Sequence, residues 1–477
     1  MATTIKKLEA KTHTWLLRPG ERRILLVIVD FLVAVTALIA SLLVWAWVDE
    51  YYEFTMEFIR TIPSWFFLLP FFWVILMVEL YDEHRAGDWK QTMRNIAMTA
   101  LIALGLYLVI YFFYSTPKSL NRRGVAGFVV AATALTFIWR LLYIRVFTAP
   151  EFMRRVLLVG AGETGQTLLR LFNEISPPPF FWVGIVDDDP EKIGKEKEGY
   201  KVLGDCDKLL EIINLERVSD IIVAISGEMQ GRMFQTLLDA QEMGIAITRM
   251  PVAYEELMGR VPIRHLEADW ILRSFVDQAR QSGFYELGKR LLDIAGGLIG
   301  SAFFLVFFPL IAISILLDNG FPVFYKQTRS GRGGQPYKIF KFRTMGLDAE
   351  PDGQPQWAEE NDKRATRVGR ILRKTHLDEL PQFINVLKGE MSLVGPRAER
   401  PELVDWFQQH VPFYRARLLV KPGITGWAQV NFGYASTIDE TITKLEYDLY
   451  YIKHRNLILD FVILLRTPAT VFGLRGR

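Results

Sequence analysis

Cysteine is almost absent. Cys206 is the single thiol in 477 residues, which excludes an intrachain disulfide and supplies too little sulfur for a zinc cluster. Its expected role is that of a small packing residue in a soluble domain. A strong charge bias is also missing. Lys and Arg number 56 against 53 Asp and Glu, a net of +3, so nucleic acid is not an expected partner. The chain has no internal repeat and no low-complexity segment. No small-x-small cleavage site follows the first apolar run, Ile24–Val48, which is also longer than the roughly 7–15 residues of a signal-peptide core. A removed leader is therefore not expected.

Apolar residues are abundant, at 50% of the chain. Four runs fill the first 150 residues: Ile24–Val48, Trp65–Tyr81, Ile96–Tyr114 and Val125–Phe147. Each meets the roughly 17–25 residues of a bilayer span, although the second is the shortest and contains Pro70. Trp45, Trp47, Tyr51, Tyr52, Tyr81, Tyr111 and Tyr114 stand near the ends of the runs, as interfacial aromatics do. Basic residues precede the first run (Lys6, Lys7, Lys11, Arg18, Arg22, Arg23), follow the second (Arg85, Lys90, Arg94) and follow the fourth (Arg154, Arg155). The first loop is acidic (Asp49, Glu50, Glu53, Glu57), so the positive-inside rule puts both termini in the cytoplasm. Lys118, Arg122 and Arg123 in the third loop oppose this. Asp30 is an acid inside the first run, a candidate for function or for hydrogen bonding to a neighbour.

From Arg155 the pattern becomes soluble α/β. Val156–Val159, Phe181–Val186, Asp220–Ile225 and Ile245–Arg249 read as strands alternating with helices, hence a parallel sheet. Gly160, Gly162 and Gly165 follow the first strand and open a helix, and Asp187 ends the second strand. That is the setting of a dinucleotide loop. It supports a Rossmann-like sheet more strongly than a bound nucleotide, because the same glycines also serve strand–helix packing.

The last third carries the densest chemistry. Lys341-Phe342-Arg343 puts two cations on one face of an extended segment. Arg367, Arg370 and Arg373 precede Asp378-Glu379, and Arg397 and Lys421 follow. Thr375 and Asp378 have the spacing of a capping box, and first-turn acids also suit a helix dipole. The arginines by themselves also suit anionic lipid. Together, the cations suit phosphate and the acid pair suits magnesium or a carboxylate nucleophile. The chemistry indicated is phosphoryl-type transfer beside a membrane.

The region from about Glu286 resembles the bacterial polyprenyl-phosphate hexose-1-phosphate transferases. The motifs that carry the resemblance are Lys289-Arg290 with Asp293, the run broken by Pro309, Gln327-x-Arg329-x-Gly331, Lys341-Phe342-Arg343-Thr344-Met345, Leu377-Asp378-Glu379-Leu380-Pro381-Gln382, Asn385 to Ser392, Gly395-Pro396-Arg397, and Pro422 to Gly426. The resemblance implies a membrane protein laid out as a four-helix transmembrane region (1–150), a Rossmann-like α/β domain (151–265), a linker (266–283) and an α/β phosphoglycosyl transferase domain (284–477) whose helix 291–317 enters and leaves the bilayer on one side. It implies Asp378 as nucleophile toward a UDP-hexose and Glu379 as ligand to Mg2+. Arg373 and Arg397 would grip phosphate, with Lys341 and Arg343 lining the same site. The acceptor would be undecaprenyl phosphate and the location the inner membrane, with the catalytic domain cytoplasmic. Glucose and galactose are the leading sugars, and a homodimer through the middle domain is expected. His376 and Ala398 stand where the family often has serine and proline.

Two other readings compete. A membrane nucleotide-sugar dehydratase would need a second glycine-rich loop before Tyr285/Lys289 or Tyr337/Lys341, and none precedes either. A non-catalytic assembly scaffold would have no use for an intact acid pair among arginines.

Overall fold

A computed structural model of the chain describes residues 19–48, 54–81, 86–113, 122–147, 153–225, 227, 229, 231–266, 283–346, 364–433, 435 and 437–471. Several residues used to read orientation lie outside these: Lys6, Lys7, Lys11, Arg18, Asp49, Glu50, Glu53, Arg85 and Lys118. Tyr51, Tyr52 and Tyr114, and nearly all of the expected linker (267–282), also lie outside them. The chain divides into two compact units, 1–253 and 254–477.

The first unit begins with apolar helices α1 (Pro19–Val48), the short α2 (Met56–Thr61), α3 (Leu69–Leu76), α4 (Trp89–Phe113) and α5 (Arg122–Phe147). They share one core that includes Leu26, Leu38, Leu42, Phe58, Trp73 and Phe128. The segments 21–48, 89–112 and 124–147 are long and apolar enough to cross a membrane. The second apolar run is broken into shorter pieces, the 3-10 turn Ser64–Leu68, the helix Leu69–Leu76 and the 3-10 turn Val78–Tyr81, and is shorter than these three. Pro70 has no N–H, so it sits in the first turn of α3 and marks a restart of the helix after the 3-10 turn Ser64–Leu68. Asp30 lies mid-helix and is fully buried, as is Arg140 of α5, which holds it at 2.6 Å and also donates to Leu80 O at 3.0 Å.

The same unit then forms a six-stranded sheet, order β3-β4-β2-β1-β5-β6, in which only the β3–β4 pairing is antiparallel. Its strands are β1 (Arg155–Val159), β2 (Phe181–Val186), β3 (Glu196–Lys197), β4 (Tyr200–Gly204), β5 (Asp220–Val223) and β6 (Ala246–Arg249). Helices α6 (Glu163–Asn173), α7 (Leu209–Glu216) and α8 (Gly231–Glu242) connect them, and α9 (Met250–Met258) follows β6. The strands expected at β1, β2, β5 and β6 are present. The hairpin β3–β4 lacks a long apolar run and was not expected.

In the second unit α10 (Gly283–Asn319) is a single 37-residue helix that contains Pro309. Its inner face is small where it meets the rest of the unit: a Cβ on Gly300 would fall 2.3 Å from the Phe383 ring. Toward its C-terminal end, Phe304 and Phe308 pack with Phe324 and Phe342, and Leu372, Leu377 and Leu380 complete that cluster. A two-stranded antiparallel ribbon, β7 (Phe324–Ser330) with β8 (Pro336–Phe342), precedes α11 (Arg367–Lys374) and α12 (Gln382–Lys388). A short parallel pair, β9 (Ser392–Val394) with β10 (Gly423–Thr425), lies between helices α13 (Pro401–His410), α14 (Trp427–Asn431), α15 (Ile438–His454) and α16 (Leu457–Val471) in the main core. Among its described residues this unit has two-stranded sheets only, so the tyrosine–lysine spacings at 285/289 and 337/341 are not set on a second dinucleotide-type sheet.

Candidate active site

Asp378 and Glu379 form the 3-10 turn Leu377–Glu379, between α11 and α12. The chain enters this turn through His376 at φ 54°, a left-handed conformation in which histidine is enriched among non-glycine residues. Thr375 does not cap the turn. Its Oγ1 donates to Ile371 O at 2.8 Å and so closes α11, because the left-handed His376 separates it from Asp378. The capping-box reading of these acids is thus replaced by a tight turn that presents both carboxyls inward, 7% and 8% exposed.

Two cations distant in sequence meet on one oxygen. Lys341 Nζ, near the end of β8, and Arg397 Nη2, in the loop after β9, each donate to Glu379 Oε1 at 2.7 Å. Burial opposes charge on Glu379, but Arg397 and Lys341 hold its carboxyl well below the ordinary range. Asp378 shifts the other way. Burial pushes it up to about 6, with Glu379 adding to the rise and Lys341, Arg397 and Arg373 offsetting part of it. The pair therefore divides into one permanently charged carboxylate and one that titrates near neutrality, the separation expected of two acids with different tasks. Burial lowers the His376 pKa, so its ring is neutral at pH 7.

Arg343 does not join this group. It is 6% exposed and its guanidinium donates to Phe321 O at 3.0 Å and to the carbonyls of Asn319 and Gly320. The expectation of two cations on one strand face fails because β8 ends at Phe342 and the alternation ends with it. Arg343 instead satisfies the orphan carbonyls at the C-terminus of α10.

Other residues build the frame. Asn385, fully buried on α12, accepts from Phe340 N–H at 3.2 Å and donates to Lys338 O at 2.8 Å. It fastens the helix that follows the acid pair to the strand that carries Lys341. Arg417 donates to Arg397 O at 2.9 Å and Arg329 to Ala398 O at 3.0 Å, which fixes the loop of Arg397. Arg417 is itself paired with Asp448 at 2.9 Å. Sequence spacing carried no signal for Arg417. Gln382, 2% exposed and three residues after Glu379, has no hydrogen-bond partner for its Nε2 among the described residues, a donor suited to a phosphate oxygen.

The glycine-rich loop lies in the first unit. Gly160 has φ +108°, and a Cβ on Gly165 would fall 2.1 Å from Gly160 O. Both positions therefore require glycine for strand–helix closure. Gly162 is the N-cap of α6, and a Cβ there would meet nothing within 4 Å. Asp187 accepts from Ala161 N–H at 2.6 Å through Oδ2, and its Oδ1 accepts from Asp189 N–H at 3.0 Å and Lys192 Nζ at 3.2 Å. Both oxygens of the expected ribose-binding acid are engaged in closing the loop.

Residues 284–474 match the bacterial sugar transferase family, and residues 76–251 match a CoA-binding domain family. A UDP-glucose:undecaprenyl-phosphate glucose-1-phosphate transferase of Caulobacter vibrioides is 41% identical over 188 residues, 39% of this chain and 70% of that protein. The chain belongs to the bacterial sugar transferases. A UDP-N-acetylgalactosamine-undecaprenyl-phosphate N-acetylgalactosaminephosphotransferase of Aeromonas hydrophila is 42% identical over 238 residues, 48% of this chain and 55% of that protein. A UDP-glucose:undecaprenyl-phosphate glucose-1-phosphate transferase of Xanthomonas campestris pv. campestris is 32% identical over 292 residues, 59% of this chain and 58% of that protein. The chain thus matches little more than half the length of these two relatives. As a sugar transferase, it carries its family match on the unit that holds Asp378 and Glu379.

Proposed function

We propose that this protein transfers a hexose 1-phosphate from a UDP-sugar to undecaprenyl phosphate, giving undecaprenyl-diphosphate-hexose and UMP. This step would initiate a capsule, O-antigen or exopolysaccharide. The observation that carries the proposal is the buried acid pair: Asp378 beside a Glu379 whose Oε1 accepts from both Lys341 and Arg397 at 2.7 Å. An Asp378 oxygen attacks the phosphorus that bears the sugar. A new P–O bond forms, the bond to the bridging oxygen breaks, and its electron pair leaves with UMP. An oxygen of undecaprenyl phosphate then attacks the same phosphorus and frees the Asp378 carboxylate. Lys341, Arg373 and Arg397 hold phosphate oxygens during both displacements. The printed names of the relatives support the donor and acceptor classes, since all three combine a UDP-sugar with undecaprenyl phosphate.

Magnesium fits the donor set. Among the described residues no three His, Cys, Asp or Glu side chains converge, and Mg2+ typically takes one or two carboxylates and fills its shell with phosphate oxygen and water. Glu379 would hold it, beside Asp378. When bound, the ion neutralises charge on the diphosphate.

The transferase unit is placed on the cytoplasmic side of the bacterial inner membrane, with α10 entering and leaving one face. Both ends of that helix are tied to the same unit, which supports the placement. Near its start Lys289 bonds Asp460 at 3.0 Å. At its end Asp318 accepts from Val368 N–H at 3.0 Å and Asn319 donates to Met345 O at 3.1 Å. By length and composition α10 is also able to cross a membrane, so its placement on one face rests on these ties.

The test is UMP release by purified protein with magnesium, undecaprenyl phosphate and a panel of UDP-sugars that includes UDP-glucose, UDP-galactose and UDP-N-acetylgalactosamine. One donor is expected to give UMP and Asp378→Asn to give none. UMP from Asp378→Asn at the wild-type rate would refute the mechanism, and none from any donor would favour the scaffold reading.

A further inference from the structure

A second cationic cavity lies in the transferase unit, away from the acid pair. It is open, and its walls include Lys289, Arg290, Arg332, Lys421 and Arg455 against two acids, Glu286 and Asp293. Lys289 is used by Asp460, and Asp293 Oδ1 is used by Ser392 Oγ and Leu393 N–H, both at 2.8 Å. The Arg290 guanidinium donates to Val386 O at 2.9 Å and Leu387 O at 2.8 Å, and has no acid partner. Among the described residues Arg332, Lys421 and Arg455 have neither a hydrogen bond nor an ion pair from their side chains, and Arg455 is 8% exposed with a buried, unpartnered Nε. Lys421 and Arg290 converge at Gly389: a Cβ there would lie 3.5 Å from Lys421 Nζ and 3.6 Å from Arg290 Nη1. Burial lowers the pKa of Lys421, with Arg290 and Arg332 adding to the fall and Asp293 and Glu286 offsetting part of it.

Like charges gathered this way repel one another, so the arrangement favours an anion that brings them together. Guanidinium and ammonium groups are the donors that phosphate oxygens take, whereas the hydroxyls at the wall are committed, Ser392 to Asp293 at 2.8 Å and Tyr451 to Asp460 at 2.8 Å. Leu419, 44% exposed, adds an apolar edge. The cavity is separate from the acid pair: Val386 and Leu387, which hold Arg290, lie at the far end of α12, about 10 Å of helix from the turn of Asp378 and Glu379.

We propose that this cavity is a second anion site that binds a phosphate ester, either the headgroup of an anionic lipid or a free phosphate compound. The proposal goes beyond the transferase reading, which assigns no role to Arg332 or Arg455; Lys421, grouped by sequence with the cations of the acid pair, lines this cavity instead.

The test is calorimetric titration of the full chain in neutral detergent with inorganic pyrophosphate, without divalent cations. Wild type is expected to show two binding events. Lys341→Met weakens one of them. Arg332→Ala with Lys421→Ala weakens the other by about tenfold or more and spares the first. Arg332→Lys with Lys421→Arg keeps both events. Arg332 sits on an exposed turn, so Arg332→Ala alone serves if the double variant does not fold, and it weakens the same event severalfold. A single event untouched by substitution of Arg332 or Lys421 overturns the proposal. Competition by nanodiscs with about 30 mol% phosphatidylglycerol, and not by neutral phosphatidylcholine, identifies the lipid source. Competition by UMP identifies a free phosphate compound. Pyrophosphate binding that neither displaces overturns the assignment to a phosphate ester.

Discussion

Lys341→Met separates two roles of one side chain. In the structure Lys341 is one of two cations on Glu379 Oε1 and the largest charge lowering the Asp378 pKa. A neighbouring cation usually lowers a carboxyl by about 1–3 units, so its loss raises Asp378 from about 6 to about 7 or above. The sign follows from the mechanism. The nucleophile must be ionised, so activity rises with pH through the Asp378 pKa, and a higher pKa moves that limb to higher pH. At a given pH below the plateau, a smaller fraction of Asp378 is ionised in the variant than in wild type. The assay is UMP release under saturating donor from about pH 5 to pH 9. The acid limb should move up by about one unit or more, with partial recovery of rate near pH 8.5, and Lys341→Arg should restore most of the shift. Glu379 keeps Arg397, so the fold should survive at a cost of about 2 kcal/mol, near that of one charge-assisted hydrogen bond. A limb that stays at its wild-type pH, with only the plateau lowered, would mean that Lys341 binds substrate without tuning Asp378, and the electrostatic reasoning would fail.

Other substitutions test the frame. Asn385→Leu should destabilise the transferase unit by about 3 kcal/mol, because it strands Phe340 N–H and Lys338 O inside the protein, and chemical denaturation in detergent would read the loss. In the first unit, Gly165→Ala should lower the melting temperature or abolish folding, whereas Gly162→Ala should leave thermal unfolding and UMP release unchanged; equal effects would contradict the steric account. Asp30→Leu and Arg140→Met, each alone, should cost about 3–5 kcal/mol in thermal stability in detergent, because each leaves a buried charge unpaired, and the double variant should recover most of it. Arg343→Ala should reduce stability through lost caps on α10, while the KM for the UDP-sugar in the surviving folded protein stays near wild type. A large rise in KM at unchanged stability would return Arg343 to the substrate site.

Properties set by local pattern were legible in advance. Apolar runs produced helices in the first 150 residues, and short apolar β-rich runs produced the parallel sheet, because residues near one another in sequence decide whether a segment can be helix or strand. The acid pair could be singled out for the same reason, since Asp378 and Glu379 are adjacent. Length of run did not reveal that Trp65–Tyr81 would fold in shorter helical pieces, with Pro70 in the first turn of one of them. Alternation misled at Lys341 and Arg343, where the strand stops between them. Only the tertiary structure decided which cations meet the acids. Lys341 and Arg397 stand 38 and 18 residues from Glu379 and reach the same oxygen through the packing of β8, α12 and the loop after β9. It also turned Asp187 into the clasp of its own loop and, among the described residues, left the side chains of Arg332, Lys421 and Arg455 without hydrogen-bond or ion-pair partners. Such outcomes depend on how separate elements cross and how deeply they bury charge, and no periodicity within a single segment encodes either.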